Sequence, residues 1–215
     1  MLQLVMIGPP GAGKGTQAEK LAARYAVPHV STGDMLRDQV ERKSPIGLVV
    51  KAAVDKGELV PDNILLDLVR IKIACADCNR GFIFDGFPRT LFQAQWLNSH
   101  GGRNLTAIEI SVDHDEVLRR TAGRQRIDDK TDTVEERLKV YHAQIAPVID
   151  YYKGQSQIIR VDGNKSVDEV FESIVNIIGD PDPGWLKETS KGGVAELGPI
   201  SDAIAEYAAK NPRRG

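Results

Sequence analysis

Gly8-Pro9-Pro10-Gly11-Ala12-Gly13-Lys14-Gly15-Thr16 follows directly on an apolar run, Leu2-Gln3-Leu4-Val5-Met6-Ile7, that reads as a buried strand. Strand, glycine-rich turn and helix in that order make a phosphate-binding loop. Gly8, Gly11 and Gly13 allow the open backbone conformations that aim successive N–H groups at one point, where a Cβ would intrude. The helix expected to begin near Lys14 adds the positive end of its dipole, and the Lys14 ammonium brings a full charge to the β- and γ-phosphates. The pattern leaves the strict motif at Gly15, which stands where Ser or Thr is usual. The hydroxyl expected near metal and phosphates is therefore Thr16.

From this loop outward the chain alternates. A helix is expected over 15–25, a strand over 27–31, and helices over 35–42, 47–56 and 62–74, with a cap offered within Ser31-Thr32-Gly33-Asp34 and another by Asp62. A strand over 81–85, a helix over 91–99, a strand over 106–112 and a helix over 114–122 follow. A long helix over 131–153 carries Thr133, Val134, Leu138, Tyr141 and Ile145 on its inner stripe, and Pro147 is expected to kink or divide it. A strand over 157–161 and a helix over 167–178 close the pattern. The fold class is α/β, a doubly wound five-stranded parallel sheet of the P-loop NTPase type with helices on both faces. Residues 31–60 read as a helical insertion, and 1–179 as one domain. Residues 180–215 form an extension, a Pro/Gly-rich linker followed by an amphipathic stripe at Ile200, Ile204, Tyr207 and Ala208.

Composition narrows the function. With 28 basic and 30 acidic residues in 215 and a net charge of −2, nothing in the overall balance points to nucleic acid or an anionic membrane as partner. No stretch approaches the length of a membrane span and no signal-peptide layout precedes the first strand, so a cytoplasmic chain is expected, and a monomer. Cys75 and Cys78 make a lone Cys-x-x-Cys with no second pair and no histidine at ligand spacing, which reads as two reduced thiols at a helix end.

The arginines say what is done to a nucleotide. Arg37, Arg89, Arg120, Arg124, Arg126 and Arg137 fall at expected strand ends, short loops and helix starts. Phosphoryl transfer asks a protein for in-line positioning and charge neutralisation, and planar guanidinium forks grip phosphate oxygens in pairs. Asp85, at the carboxyl end of an apolar strand, suits Mg2+ held through water.

Taken together, Gly8 to Thr16, Ser31-Thr32-Gly33-Asp34-Met35-Leu36-Arg37, Gly57-Glu58-Leu59-Val60-Pro61-Asp62, Asp85-Gly86-Phe87-Pro88-Arg89-Thr90 and Gly123-Arg124-Gln125-Arg126-Ile127-Asp128-Asp129 resemble the adenylate kinases in order and spacing, over about residues 2 to 178. The resemblance implies reversible phosphoryl transfer from Mg-ATP to AMP, giving two ADP, and a role in adenine nucleotide balance. It implies ATP phosphates on Gly11, Ala12, Gly13, Lys14, Gly15 and Thr16, with Arg120 and Arg124 facing ATP and the backbone near Lys165 against its adenine. For AMP it implies Thr32, Arg37, the backbone of Glu58, Leu59 and Val60, then Gly86, Phe87, Pro88, Arg89 and Gln93. Arg126 and Arg137 would reach across the transferring phosphates and AMP, so that Lys14, Arg89, Arg124, Arg126 and Arg137 form the catalytic set. Residues 31–60 become the AMP-binding insertion and 123–129 a short lid. The β-rich lid of long-lid members, with its zinc ligands, is missing from the sequence, so no structural zinc is expected. Two alternatives stand beside this reading: a UMP/CMP kinase, against which Thr32 and Gln93 lean toward adenine, and a nucleotide-sensing module, which would need no second phosphate site.

Overall fold

The computed structural model describes residues 1–56, 60–101, 105–122, 131–155 and 157–181. Within them five strands, Leu2–Ile7 (β1), His29–Ser31 (β2), Gly81–Asp85 (β3), Leu105–Ser111 (β4) and Ile158–Asp162 (β5), pair in parallel in the order β2-β3-β1-β4-β5. From β1 the chain crosses to β2 at one edge, returns to β3 between the two, and then continues on the other side of β1 through β4 to β5. The order therefore reverses at β1, and in open parallel sheets ligands bind beyond the carboxyl ends of the strands at that point.

Side-chain alternation along β1 divides the core. Leu4 and Met6 pack with Ile83, Ile108 and Ile110 under α1 (Lys14–Tyr25) and a C-terminal helix, Val167–Ile178, through Leu21, Val170 and Ile174. Val5 and Ile7 pack on the other face with Phe82, Phe84 and Ala107. That face is covered by residues of helices Asp62–Ile73, Leu91–His100 and Thr131–Gly154, among them Leu68, Leu97 and Tyr152, none of them accessible to solvent. Helices on both faces are why β1, β3 and β4 are buried along nearly their whole length. Truncating a side chain such as Leu68 to alanine would cost about 2–5 kcal/mol in this setting.

In chain order the helices are α1, α2 (Thr32–Glu41), α3 (Pro45–Lys56), α4 (Asp62–Ile73), α5 (Leu91–His100), α6 (His114–Ala122), α7 (Thr131–Gly154) and α8 (Val167–Ile178), with a 3-10 turn at Ala76–Arg80 that the sequence pattern does not signal. Local chemistry explains several ends. The Ser31 side chain accepts from the Asp34 N–H to start α2, and Ser166 and Glu169 form a reciprocal capping box on α8. α3 starts two residues earlier than its apolar pattern, because Pro45 has φ preset for a first helical position.

Three expectations change. The second strand is three residues long and starts at His29, while Val27 is buried outside the ladder. Pro147 does not divide α7, whose second half is held by the buried Ile145, Val148 and Tyr152. Ala143, whose carbonyl loses its partner at Pro147, is exposed to water. Asp62 is the first residue of α4 and no cap: Pro61 takes the cap position without a side-chain bond, and the Asp62 carboxylate goes elsewhere. The expected lid at 123–129 and the extension from residue 182 lie outside the described residues.

Candidate active site

The loop after β1 is bent as phosphate binding requires, though its glycines have different duties. Gly11 and Gly13 take φ of 80° and 87°, the left-handed region that costs an L side chain strain. Gly8 has no such dihedral; a Cβ there would stand 2.9 Å from the Ile110 carbonyl oxygen, so its duty is close approach to β4. α1 starts at Lys14 with Gly13 as cap and no side-chain bond, which leaves its first N–H groups open toward the loop. The Lys14 ammonium donates to the carbonyls of Gly8 at 2.8 Å and Pro9 at 2.9 Å and so lies across the mouth of the loop.

Asp85 ends β3 opposite Met6 of β1, which sets its carboxylate beside the loop. A Cβ on Gly15 would sit 3.2 Å from Asp85 Oδ2, a physical reason for glycine where the strict motif has a hydroxyl residue. His29 Nε2, buried and without a hydrogen bond, lies 3.9 Å from the same oxygen. One carboxylate beside a phosphate loop, with the exposed Thr16 hydroxyl on the first turn of α1, is an all-oxygen donor set, and it fits a Mg2+ ion that keeps most of its waters. Among the described residues no three His, Cys, Asp or Glu side chains gather as a metal site, and Cys75 and Cys78 are free thiols.

On the β2 side of Asp85 a second group assembles. The Thr32 hydroxyl, almost fully buried, donates to the Asp85 carbonyl at 3.4 Å. Gly86 takes φ of 80°, and a Cβ there would press on Thr32 Oγ1 and Arg89 Nη2, both at 3.1 Å. The Phe87–Pro88 peptide is cis, with Phe87 buried against Phe84. Arg89 Nε donates to the Gly86 carbonyl at 2.8 Å and its side chain faces solvent. Gln93, 1% exposed, accepts from the Arg89 N–H at 2.7 Å and donates to Asp62 at 2.6 Å. Arg37 pairs with Asp34, one turn earlier on α2. Burial pushes the Asp34 carboxyl up, but bonds from Ser31 and Arg37 outweigh it and hold the group below its ordinary range. Val60 is buried nearby in sequence, while Glu58 and Leu59 lie outside the described residues.

A cavity of about 480 Å³ opens on the opposite side of the loop. Gly11 to Gly13 and Thr16 line one wall, Arg120 and Glu116 of α6 a second, and the turn through Lys165 a third. Glu116 accepts from Arg119 twice at 2.7 Å and from Arg120 Nε at 2.6 Å, which holds its carboxyl down at about 2. The i, i+4 spacing of Glu116 and Arg120 is the sequence signal for that grip. Arg124, Arg126 and the side chain of Arg137 lie outside the described residues.

A parallel sheet reversing at β1, with a glycine-rich phosphate loop at that point, defines a P-loop protein of the α/β class. The family model for adenylate kinase matches residues 6–157. An adenylate kinase of Lachnospira eligens is 39% identical over 213 residues, covering 83% of this chain and all of the relative. One of Clostridium tetani is 37% identical over 213 residues, with 83% and 99% covered. One of Trichodesmium erythraeum is 40% identical over 183 residues, with 81% and 96% covered. The chain belongs to the adenylate kinase family, and with it to the nucleoside monophosphate kinases.

Proposed function

We propose that the chain carries the terminal phosphoryl group of Mg-ATP to AMP, reversibly, with donor and acceptor phosphates on the two loops that leave β1 and β3. The observation that carries this is the adjacency of those strands, Met6 opposite Asp85, with the phosphate loop after one and the Gly86 to Arg89 turn after the other. A nucleotide sensor needs the first loop and has no use for the second. The attacking phosphate oxygen of AMP is already anionic, so no general base is required, and the obstacle is repulsion between anions. Lys14, Arg89 and the set Arg124, Arg126 and Arg137 would offset it by bringing positive charge to where negative charge accumulates.

ATP phosphates would lie on Gly11 to Thr16 and its base in the cavity beside Arg120 and Lys165. AMP would lie against Thr32, Arg37, the Glu58 to Val60 backbone, the Gly86 to Arg89 turn and Gln93. Asp85 would hold Mg2+ through water; the bound ion supplies charge neutralisation and orients the phosphates. The insertion 31–60 and a short lid at 123–129 would close over the substrates and exclude water. A short lid is supported by the alignments: the Lachnospira eligens relative takes 213 residues to match 83% of this chain, the Trichodesmium erythraeum relative 183 to match 81%. The chain would act on these small nucleotides as a monomer in the cytoplasm; no helix among the described residues is long and apolar enough to cross a membrane. A coupled assay of ADP formation with ATP and each of AMP, UMP, CMP and GMP tests the reading. AMP is expected to lead, and equal or better turnover of UMP or CMP would overturn it.

A further inference from the structure

Gln93 is held from two sides by groups that cannot exchange roles. The Arg89 backbone N–H can only donate, and it meets Oε1 at 2.7 Å. A carboxylate can only accept, and that of Asp62 meets Nε2 at 2.6 Å. The two ends of an amide are nearly alike in size, so packing alone does not choose between its orientations; hydrogen-bond partners do. Asp62 stands in the first turn of α4, where an acidic side chain would ordinarily serve its own helix terminus. Here it reaches across to α5 and a residue 31 positions away.

We propose that Asp62 is a positioning residue for acceptor selectivity: without touching the nucleotide, it locks the Gln93 amide in the one orientation that matches adenine. This rests on the reading that Gln93 contacts the acceptor base. The two bonds use one lone pair of Oε1 and one hydrogen of Nε2, and leave one of each. Adenine offers the complement, a ring nitrogen that accepts beside an exocyclic amine that donates. Hypoxanthine reverses that edge, with a hydrogen on the ring nitrogen and an oxygen on the neighbouring carbon. To read it, Gln93 would have to turn over, setting Nε2 against the Arg89 N–H and Oε1 against the Asp62 carboxylate. The carboxylate is the larger obstacle, since bonds to an ionised partner are about twice as strong as neutral ones.

The test compares kcat/KM for AMP and for inosine monophosphate at saturating Mg-ATP in the wild type, Asp62→Asn and Gln93→Leu. An asparagine amide can donate as well as accept, so Asp62→Asn removes the carboxylate's veto while keeping size and shape. The AMP-to-inosine ratio is expected to fall by about threefold or more in Asp62→Asn, chiefly through a gain on inosine monophosphate. Asp62→Ser, whose hydroxyl also plays both roles, should show the same fall and keeps the question open to measurement if one variant folds poorly. A ratio within about threefold of wild type in the folded Asp62 variants, with a clear fall in Gln93→Leu, would overturn the positioning role and leave the base contact standing. An unchanged ratio in Gln93→Leu would remove both.

Discussion

The ammonium of Lys14 lies 2.8 Å from the carbonyl oxygen of Gly8, so the cation of the phosphate loop is held by the same backbone whose amides are to receive the anion. These are bonds to loop carbonyls, outside both apolar clusters. Lys14→Met is therefore expected to reduce turnover by on the order of 10³ or more, as loss of a charge-stabilising group in phosphoryl transfer does, with thermal melting close to wild type. Activity within about threefold of wild type would contradict the placement of phosphates on this loop.

Glu116 should govern ATP and not AMP. It pins Arg120 by Nε, which leaves the rest of that guanidinium to face the cavity. Glu116→Ala is expected to raise KM for ATP several-fold with KM for AMP unchanged, and to add nothing in an Arg120→Ala background, a double-mutant cycle read by initial rates. The pH sign follows from the carboxyl's depression to about 2 by Arg119 and Arg120: the pairing is complete above the ordinary carboxylate range and is lost only as pH falls toward 2. ATP affinity measured from pH 8 to 5 should accordingly show no step assignable to Glu116.

The extension can be cut without harm if the cut spares its root. Tyr25 bonds to the Gly179 carbonyl and Arg24 pairs with Asp180. Truncation after Pro181 keeps both contacts, and the family model ends well before it, at residue 157. Steady-state kinetics close to those of the full chain are expected, since every motif assigned to substrate lies upstream of the cut. A truncated protein that melts normally and has lost catalysis would make the extension part of the active site.

Metal and thiol chemistry give another check. Elemental analysis of the purified protein is expected to find no stoichiometric zinc, and EDTA should inhibit only until Mg2+ is restored in excess. Burial pushes the Cys78 thiol up to about 12 and Cys75 upward as well, so little thiolate exists at pH 8. Alkylation by iodoacetamide should be slow for the folded protein and rapid after denaturation; one tightly bound zinc per chain, or fast labelling of Cys78, would count against this.

Much of this was readable from residue order. The phosphate loop and the strand ending at Asp85 depend on neighbours in sequence, and the structure puts them where spacing does; the capping stretch Ser31 to Asp34 was legible too, though α2 starts on its first residue's neighbour, Thr32, rather than near Met35. Gly8 was legible as essential but its reason was not, because Ile110 lies a hundred residues further on and meets it only through β1–β4 pairing. Asp62 invites reading as a cap, since Pro-Asp before an apolar run has that form, and only the packing of α4 beside α5 diverts its carboxylate to Gln93. Local patterns encode local conformation; which side chains meet across the molecule is settled by tertiary packing.

The pairing of β1 with β3 acts as a ruler. Hydrogen-bonded strands lie about 4.8 Å apart whatever side chains they carry. Two loops springing from adjacent strands start from that interval, so the roots of the two proposed phosphate sites are set by backbone geometry before any side chain acts. Lids can then shorten and tails lengthen over evolutionary time without the distance between reactants having to be found again.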